Sequence, residues 1–346
     1  MGVGGAAGSG GGAKGGGSGS GGAGGAIACA VTCMPTEYCD SGTCKSRITE
    51  FTVPTSTGGP TYIAAGPDGN LWFSGFSAVA QIGKITVSGT ITLYPLAQGA
   101  VAQGLTAGPE GNVWFADATR SLGVITPAGK VTEYPFPQNL NPMAIGPNRV
   151  CLGPDGNIWF SEYQGFQGSG QYAGKGTLAG TIDEIMLPSA SCPSSIAKGN
   201  DGNLWVTEDC GIRSNVGHVW RVTPTGTITE FPTPGRVNLV DVTAGPDSNL
   251  WFTALYTPAI VRSDYAGNMT MFPLSSGASP QFICAGPDHN VWFTDPGSNS
   301  LNRITPAGVI TSYTLEYAPG QITTGPDGAI WFTVPEPGRI GRFLLP

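Results

Sequence analysis

One octapeptide recurs seven times at a spacing near 40 residues. It reads GPDGNLWF (66–73), GPEGNVWF (108–115), GPDGNIWF (153–160), GNDGNLWV (199–206), GPDSNLWF (245–252), GPDHNVWF (286–293) and GPDGAIWF (325–332). Seven of the eight tryptophans fall at its same place: Trp72, Trp114, Trp159, Trp205, Trp251, Trp292 and Trp331. A period of this length signals a propeller or a solenoid. Within one repeat the local physics is legible. Pro presets φ for a turn, Asp bonds its own backbone and Gly takes the left-handed position. The short, small-residue run before the turn (Tyr62-Ile63-Ala64-Ala65) suits a crowded central channel, and the run after it carries the large aromatics. A third run (Gln81–Thr86) and a fourth (Thr90–Pro95) complete four antiparallel strands, the last ending in a Pro that an edge strand tolerates. The expectation is an all-β, seven-bladed β-propeller of four-stranded blades.

Closure follows from the two ends of the repeat array. The seventh repeat stops at Arg339–Phe343 without a fourth strand, while Arg47-Ile48-Thr49-Glu50-Phe51-Thr52-Val53-Pro54 is a spare fourth strand resembling Thr227–Pro232. The N-terminal strand is therefore expected to complete the last blade and remove an open edge.

Ahead of the repeats lie two other segments. Residues 1–26 are Gly, Ser and Ala with one charge after the initiator, Lys14, and read as a disordered linker without the apolar run of a signal peptide. Residues 27–46 hold Cys29, Cys33, Cys39 and Cys44, a spacing that reads as a two-disulfide module in an oxidising compartment. A zinc knuckle is the rival reading, but no Cys-x2-Cys pair or neighbouring histidine accompanies these thiols. The propeller spans 47–346. Cys192 and Cys210 straddle the fourth hairpin and are expected to pair, whereas Cys151 and Cys284 occupy equivalent inner strands of non-adjacent blades and read as buried thiols. The cysteines favour a secreted, periplasmic or cell-surface location.

Composition excludes several functions. Net charge is −7, and the 16 basic residues form no run, which argues against a nucleic-acid partner. No apolar stretch approaches the roughly 20 residues of a membrane span. Two histidines exclude a three-histidine metal site. A monomer is expected.

The repeat grammar (GPDGNLWF, then KIGKIT-like and GTITEFPTP-like strands) resembles the virginiamycin B lyase family over about residues 47–346. That resemblance implies opening of the streptogramin B ring by elimination, with magnesium, a histidine base and a carboxylate near the channel mouth. The matching positions differ here. Where the family's last blade has Glu-Pro-His-Gly, this chain has Ala318-Pro319-Gly320-Gln321; the carboxylate after the last Trp-Phe-Ala-Met is replaced by Pro335; and a Pro-His-Ala-Ile in the sixth blade becomes Pro280-Gln281-Phe282-Ile283. Ala318, Gly320, Gln281 and Pro335 thus supply no base. His289 sits in a turn at the opposite end of the inner hairpin, and His218 on a third strand away from the channel.

One acidic register remains. Three residues after the tryptophan stand Asp117, Glu162, Glu208 and Asp295, and Asp209 adds a carboxylate in blade four. Together with Gln281 these are the candidate channel-mouth binding residues, able in principle to hold a cation, since hard cations take oxygen ligands. The alternative is that each acid pairs inside its own blade. A longer, Gly- and aromatic-rich stretch between Glu162 and Thr181 is read as a loop rimming one mouth or as a tolerated insertion. Three functions follow: a secreted or surface-tethered module binding a small molecule, glycan or peptide at one channel mouth; a Mg-dependent C–O lyase with a relocated base; or a structural propeller.

Overall fold

The computed structural model describes Met1 and residues 32–54, 59–76, 80–137, 146–162, 172–188, 192–210 and 217–346. Among these residues lie seven four-stranded antiparallel sheets and one two-stranded hairpin. The chain is an all-β, seven-bladed propeller. Blade one runs Gly59–Ala65, Leu71–Phe76, Gln81–Ile85 and Ile91–Pro95 from the axis outward, and blades two to six repeat this order.

The octapeptide builds the first hairpin of each blade. In blade one Gly66 N–H donates to the Asn70 carbonyl (2.8 Å), and Gly69 is left-handed at φ 74°. The Asp68 carboxylate accepts from Asn70 N and, at 3.0 Å, from the Trp72 indole N–H. The same Asp–Trp bond recurs in six blades; blade two, where Glu110 replaces the aspartate, is the exception. The aspartate thus fixes the turn and satisfies the one polar atom of a fully buried indole, which would otherwise be costly to bury. Ser248 and His289 occupy the left-handed position in blades five and six, at φ 60° and 59°.

The two faces of each second strand pack differently. Trp72 stacks on the fourth-strand ring Tyr94, with centroids 5.6 Å apart, and Trp114–Tyr134, Trp251–Phe272 and Trp292–Tyr313 repeat this contact. The next residue, Phe73, lies on the third-strand Gly83, where a Cβ would stand 2.0 Å from a ring carbon. That glycine is a packing requirement. Two residues after the tryptophan, a hydroxyl bridges to the inner strand of the following blade: Ser74 to the Gln103 carbonyl (2.8 Å), Thr253 to Gln281 (2.8 Å) and Thr333 to Thr61 (3.2 Å). The last of these joins blade seven to blade one.

Ile48–Thr52 pairs antiparallel with Arg339–Phe343 and completes blade seven. Phe51 stacks on Trp331 as the other fourth-strand rings do on theirs (5.6 Å, 12° between planes), and Glu50 pairs with Arg339. Upstream, Glu37–Asp40 and Thr43–Ser46 form the hairpin, held by the Cys33–Cys44 disulfide. Cys39 is also disulfide-bonded, and Cys29 lies outside the described residues. Arg47 ties this hairpin to the propeller edge, donating to the carbonyls of Glu37 (3.0 Å) and Leu345 (2.6 Å). Cys192 and Cys210 are bonded, while Cys151 and Cys284 are free thiols.

Candidate functional site

The inner strands share a pattern, Pro-x-y-(Ile/Val) in five blades, that sets what the channel presents. Successive strand residues alternate in direction. The x positions include Thr61, Gln281 and Gly320, which line a pocket at one mouth. The y positions are Tyr62, Gly104, Arg149, Ser195, Asp241, Phe282 and Gln321. Five of these, Gly104, Arg149, Ser195, Asp241 and Gln321, line a polar chamber of about 110 Å³ in the channel.

All four positions singled out by the family resemblance converge on the mouth pocket. Gln281, Ala318, Gly320 and Pro335 line a cavity of about 280 Å³ together with Thr61, Phe282, Pro296, Pro319 and Glu336. The register transferred from the family motifs therefore lands in one place, and what it finds there is largely apolar. Glu336 is the one carboxylate on this wall, exposed and a single residue beyond the position that Pro335 occupies. Sequence reading passed over it because the motif ends one residue earlier; the signal available was the Pro335-Glu336-Pro337 step immediately after the last second strand.

The acidic register sits elsewhere. Asp117 and Glu162 are fully buried, and Glu208 and Asp295 nearly so. Asp117 Oδ1 accepts from the backbone N–H groups of Val101 (3.0 Å) and Thr119 (2.8 Å). Asp295 Oδ1 accepts likewise from Ser279 (2.8 Å) and Ser298 (3.3 Å), and its side chain lines an outer crevice of about 380 Å³ with Ser300, Asn302 and Ser312. Glu162 faces Glu184 of its own blade and Arg120 of blade two; burial first, and Glu184 second, push its carboxyl up to about 8, against the pull of Arg120. Glu208 accepts from the His218 backbone N–H (3.0 Å) and meets the His218 ring Nδ1 at 3.2 Å, while the other ring nitrogen lies 3.1 Å from Glu230. Burial raises Glu208 to about 7; the His218 N–H opposes this, and Glu230 and Asp209 add to it. The four acids lie in four blades and none of them lines the mouth pocket, and His218 belongs to a Glu-His-Glu row across blade four. Among the described residues no group of three or more His, Cys, Asp or Glu side chains is placed to hold a metal ion. His289 lies in its turn, and residues 163–171 of the long loop are outside the described residues.

Comparison with known proteins places these features. The model of the Virginiamycin B lyase family matches residues 22–212, 138–315 and 212–345. No curated protein sequence matches the chain. Among solved structures, selenomethionine-substituted virginiamycin B lyase from Staphylococcus aureus is 33% identical with a TM-score of 0.76, the match covering 86% of this chain and 99% of that one. A streptogramin B lyase structure is 32% identical at the same TM-score, covering 86% and 97%. A catalytically inactive histidine-to-alanine variant of the S. aureus enzyme with quinupristin matches at 33% identity, TM-score 0.76, covering 86% and 99%.

Proposed function

The chain belongs to the virginiamycin B lyase family, and from that premise we propose that it is a secreted or surface-tethered propeller that binds a small molecule, glycan or peptide at the mouth pocket without the family's histidine-based elimination. The observation that carries this reading is the pocket wall itself. Elimination needs a group of suitable pKa within hydrogen-bond reach of a carbon-bound proton. Ala318, Gly320, Gln281 and Pro335 offer none, and loss of one histidine is enough to inactivate the S. aureus relative. Phe282 and the prolines supply apolar contact surface, while Gln281, Thr61 and Glu336 supply hydrogen-bonding groups, a mixture that suits ligand recognition. Magnesium fits poorly: hard cations need several oxygen ligands, and at the two positions where the resemblance places family carboxylates stand Ala318 and Pro335. Two disulfides support an extracellular site of action, and no helix among the described residues is long and apolar enough to cross a membrane.

The test is incubation of the purified protein with a streptogramin B and Mg²⁺. Ring opening by elimination leaves the mass unchanged, so the product is followed by chromatographic retention and tandem fragmentation, and hydrolysis by the added mass of water. Unaltered substrate is expected; turnover above background overturns the reading. The second reading, a Mg-dependent C–O lyase with a relocated base, has one observation in its favour, the carboxylate of Glu336 on the pocket wall. Under that reading turnover appears and collapses in Glu336→Gln.

A further inference from the structure

The channel chamber holds a charged group that the mouth pocket does not use. Arg149 is 8% exposed, on the inner strand of blade three. Its guanidinium carbon lies 4.6 Å from the ring centre of Tyr62 in blade one and 5.0 Å from that of Phe282 in blade six. The cation is therefore clamped between two rings drawn from blades well apart around the axis. Cation–π contact engages the guanidinium's face but leaves its in-plane N–H donors without acceptors. Among the described residues none accepts a hydrogen bond from it, and no carboxylate stands within ion-pair distance. Asp241, 6% exposed and on the same chamber wall, is committed elsewhere: one oxygen accepts from Ser195 Oγ at 2.6 Å and the other from Ile283 N–H at 3.0 Å. No Arg149 nitrogen is sealed from solvent, so its donors open into the chamber that the residue lines. A guanidinium held in place by two rings with its fork free is preorganised for an acceptor that arrives from outside.

We infer that Arg149, held between Tyr62 and Phe282, anchors the carboxylate of a small ligand in the central channel. A planar guanidinium fork matches a carboxylate bidentately. The chamber's volume, about 110 Å³, takes a head group rather than a whole molecule. Asp241, which lines the same chamber, selects a monoanion over a dianion by repulsion. The chamber abuts the mouth pocket, since Gln281 and Gly320 line the pocket and their neighbours Ile283 and Gln321 line the chamber. The anchor stands whether or not the mouth pocket takes a ligand of its own.

Titration of the full chain with acetate, acetamide and inorganic phosphate, followed by ligand-observed NMR, tests it. Acetate is expected to bind saturably, acetamide not, and phosphate more weakly than acetate. Arg149→Met, an apolar replacement of similar length, should weaken acetate by roughly tenfold or more, as loss of a charge-assisted hydrogen-bond pair does, with an unchanged circular dichroism spectrum. Arg149→Lys keeps the charge and loses the fork, so it should fall between the two, and Asp241→Asn should tighten acetate. If Arg149→Met does not fold, the lysine variant and the acetate–acetamide contrast on the unaltered chain decide the matter. Absence of saturable acetate binding to the unaltered chain, as for a chamber that holds only water, overturns the proposal. So does binding that Arg149→Met and Arg149→Lys leave unchanged.

Discussion

Phe51→Ala probes the closing strand at the side chain that stacks on the blade-seven tryptophan. Phe51 is partly buried, stacks on Trp331 and packs with Val53, Ile63 and Ile340. Phe→Ala in a full core costs about 3–5 kcal/mol; partial burial places this site nearer about 2–3 kcal/mol, of which roughly 1 kcal/mol is the aromatic stack. At about 2–4 °C per kcal/mol for a chain this large, the melting temperature should fall by about 5–10 °C. Deleting 47–54 is more severe. It removes the five-residue pairing with Arg339–Phe343, the Glu50–Arg339 ion pair and the buried Val53. At about 1 kcal/mol per net hydrogen bond, this loss rivals the whole stability of a typical domain, about 5–15 kcal/mol. Thermal melts by circular dichroism, run beside a chain lacking residues 1–26, give the comparison. The tail deletion should leave the melting temperature within about a degree, because a Gly/Ser/Ala segment buries too little apolar surface to stabilise the fold. Equal shifts from the two deletions would refute the closure argument.

Two further outcomes follow from the thiols and the buried acids. Thiol counting on denatured, unreduced protein should find six of the eight cysteines oxidised, Cys29 together with Cys33, Cys39, Cys44, Cys192 and Cys210, and Cys151 and Cys284 free. Because burial pushes the Cys151 thiol up to about 12, alkylation of the native protein at pH 8 should be slow and become rapid only on denaturation; stoichiometric zinc with free N-terminal thiols would contradict this. Glu162 has a folded pKa of about 8 against 4.5 for the free side chain, so the folded state binds the extra proton and stability falls as pH rises between those values. Glu162→Gln should therefore be neutral below about pH 4.5 and stabilising by about 1–2 kcal/mol above pH 8, read as urea midpoints at the two pH values; a variant destabilised at both would place a needed charge on Glu162.

Sequence alone determined the blade count, the closing strand and the Cys192–Cys210 pairing, and the family resemblance singled out Ala318, Gly320, Gln281 and Pro335 as positions that carry no acid or base. These are local or strictly periodic properties: a Pro-Asp-Gly turn, an alternating strand and a missing fourth strand each announce themselves within one repeat, and the family register carries motif positions onto numbered residues one by one. The tertiary structure decided what those residues face. Asp117, Glu162, Glu208 and Asp295 share a register along the chain, yet packing between strands buries them and gives each a different neighbour, so that Glu208 meets His218 and Glu230 while Glu162 meets Glu184 and Arg120. Glu336 reaches the mouth pocket because the chain turns just past Val334. Tyr62, Arg149 and Phe282 occupy equivalent places in blades one, three and six and look unrelated in the chain. Closing seven blades into a ring brings equivalent positions of distant repeats to a single axis, and only there do an arginine and two aromatic rings come within contact of one another.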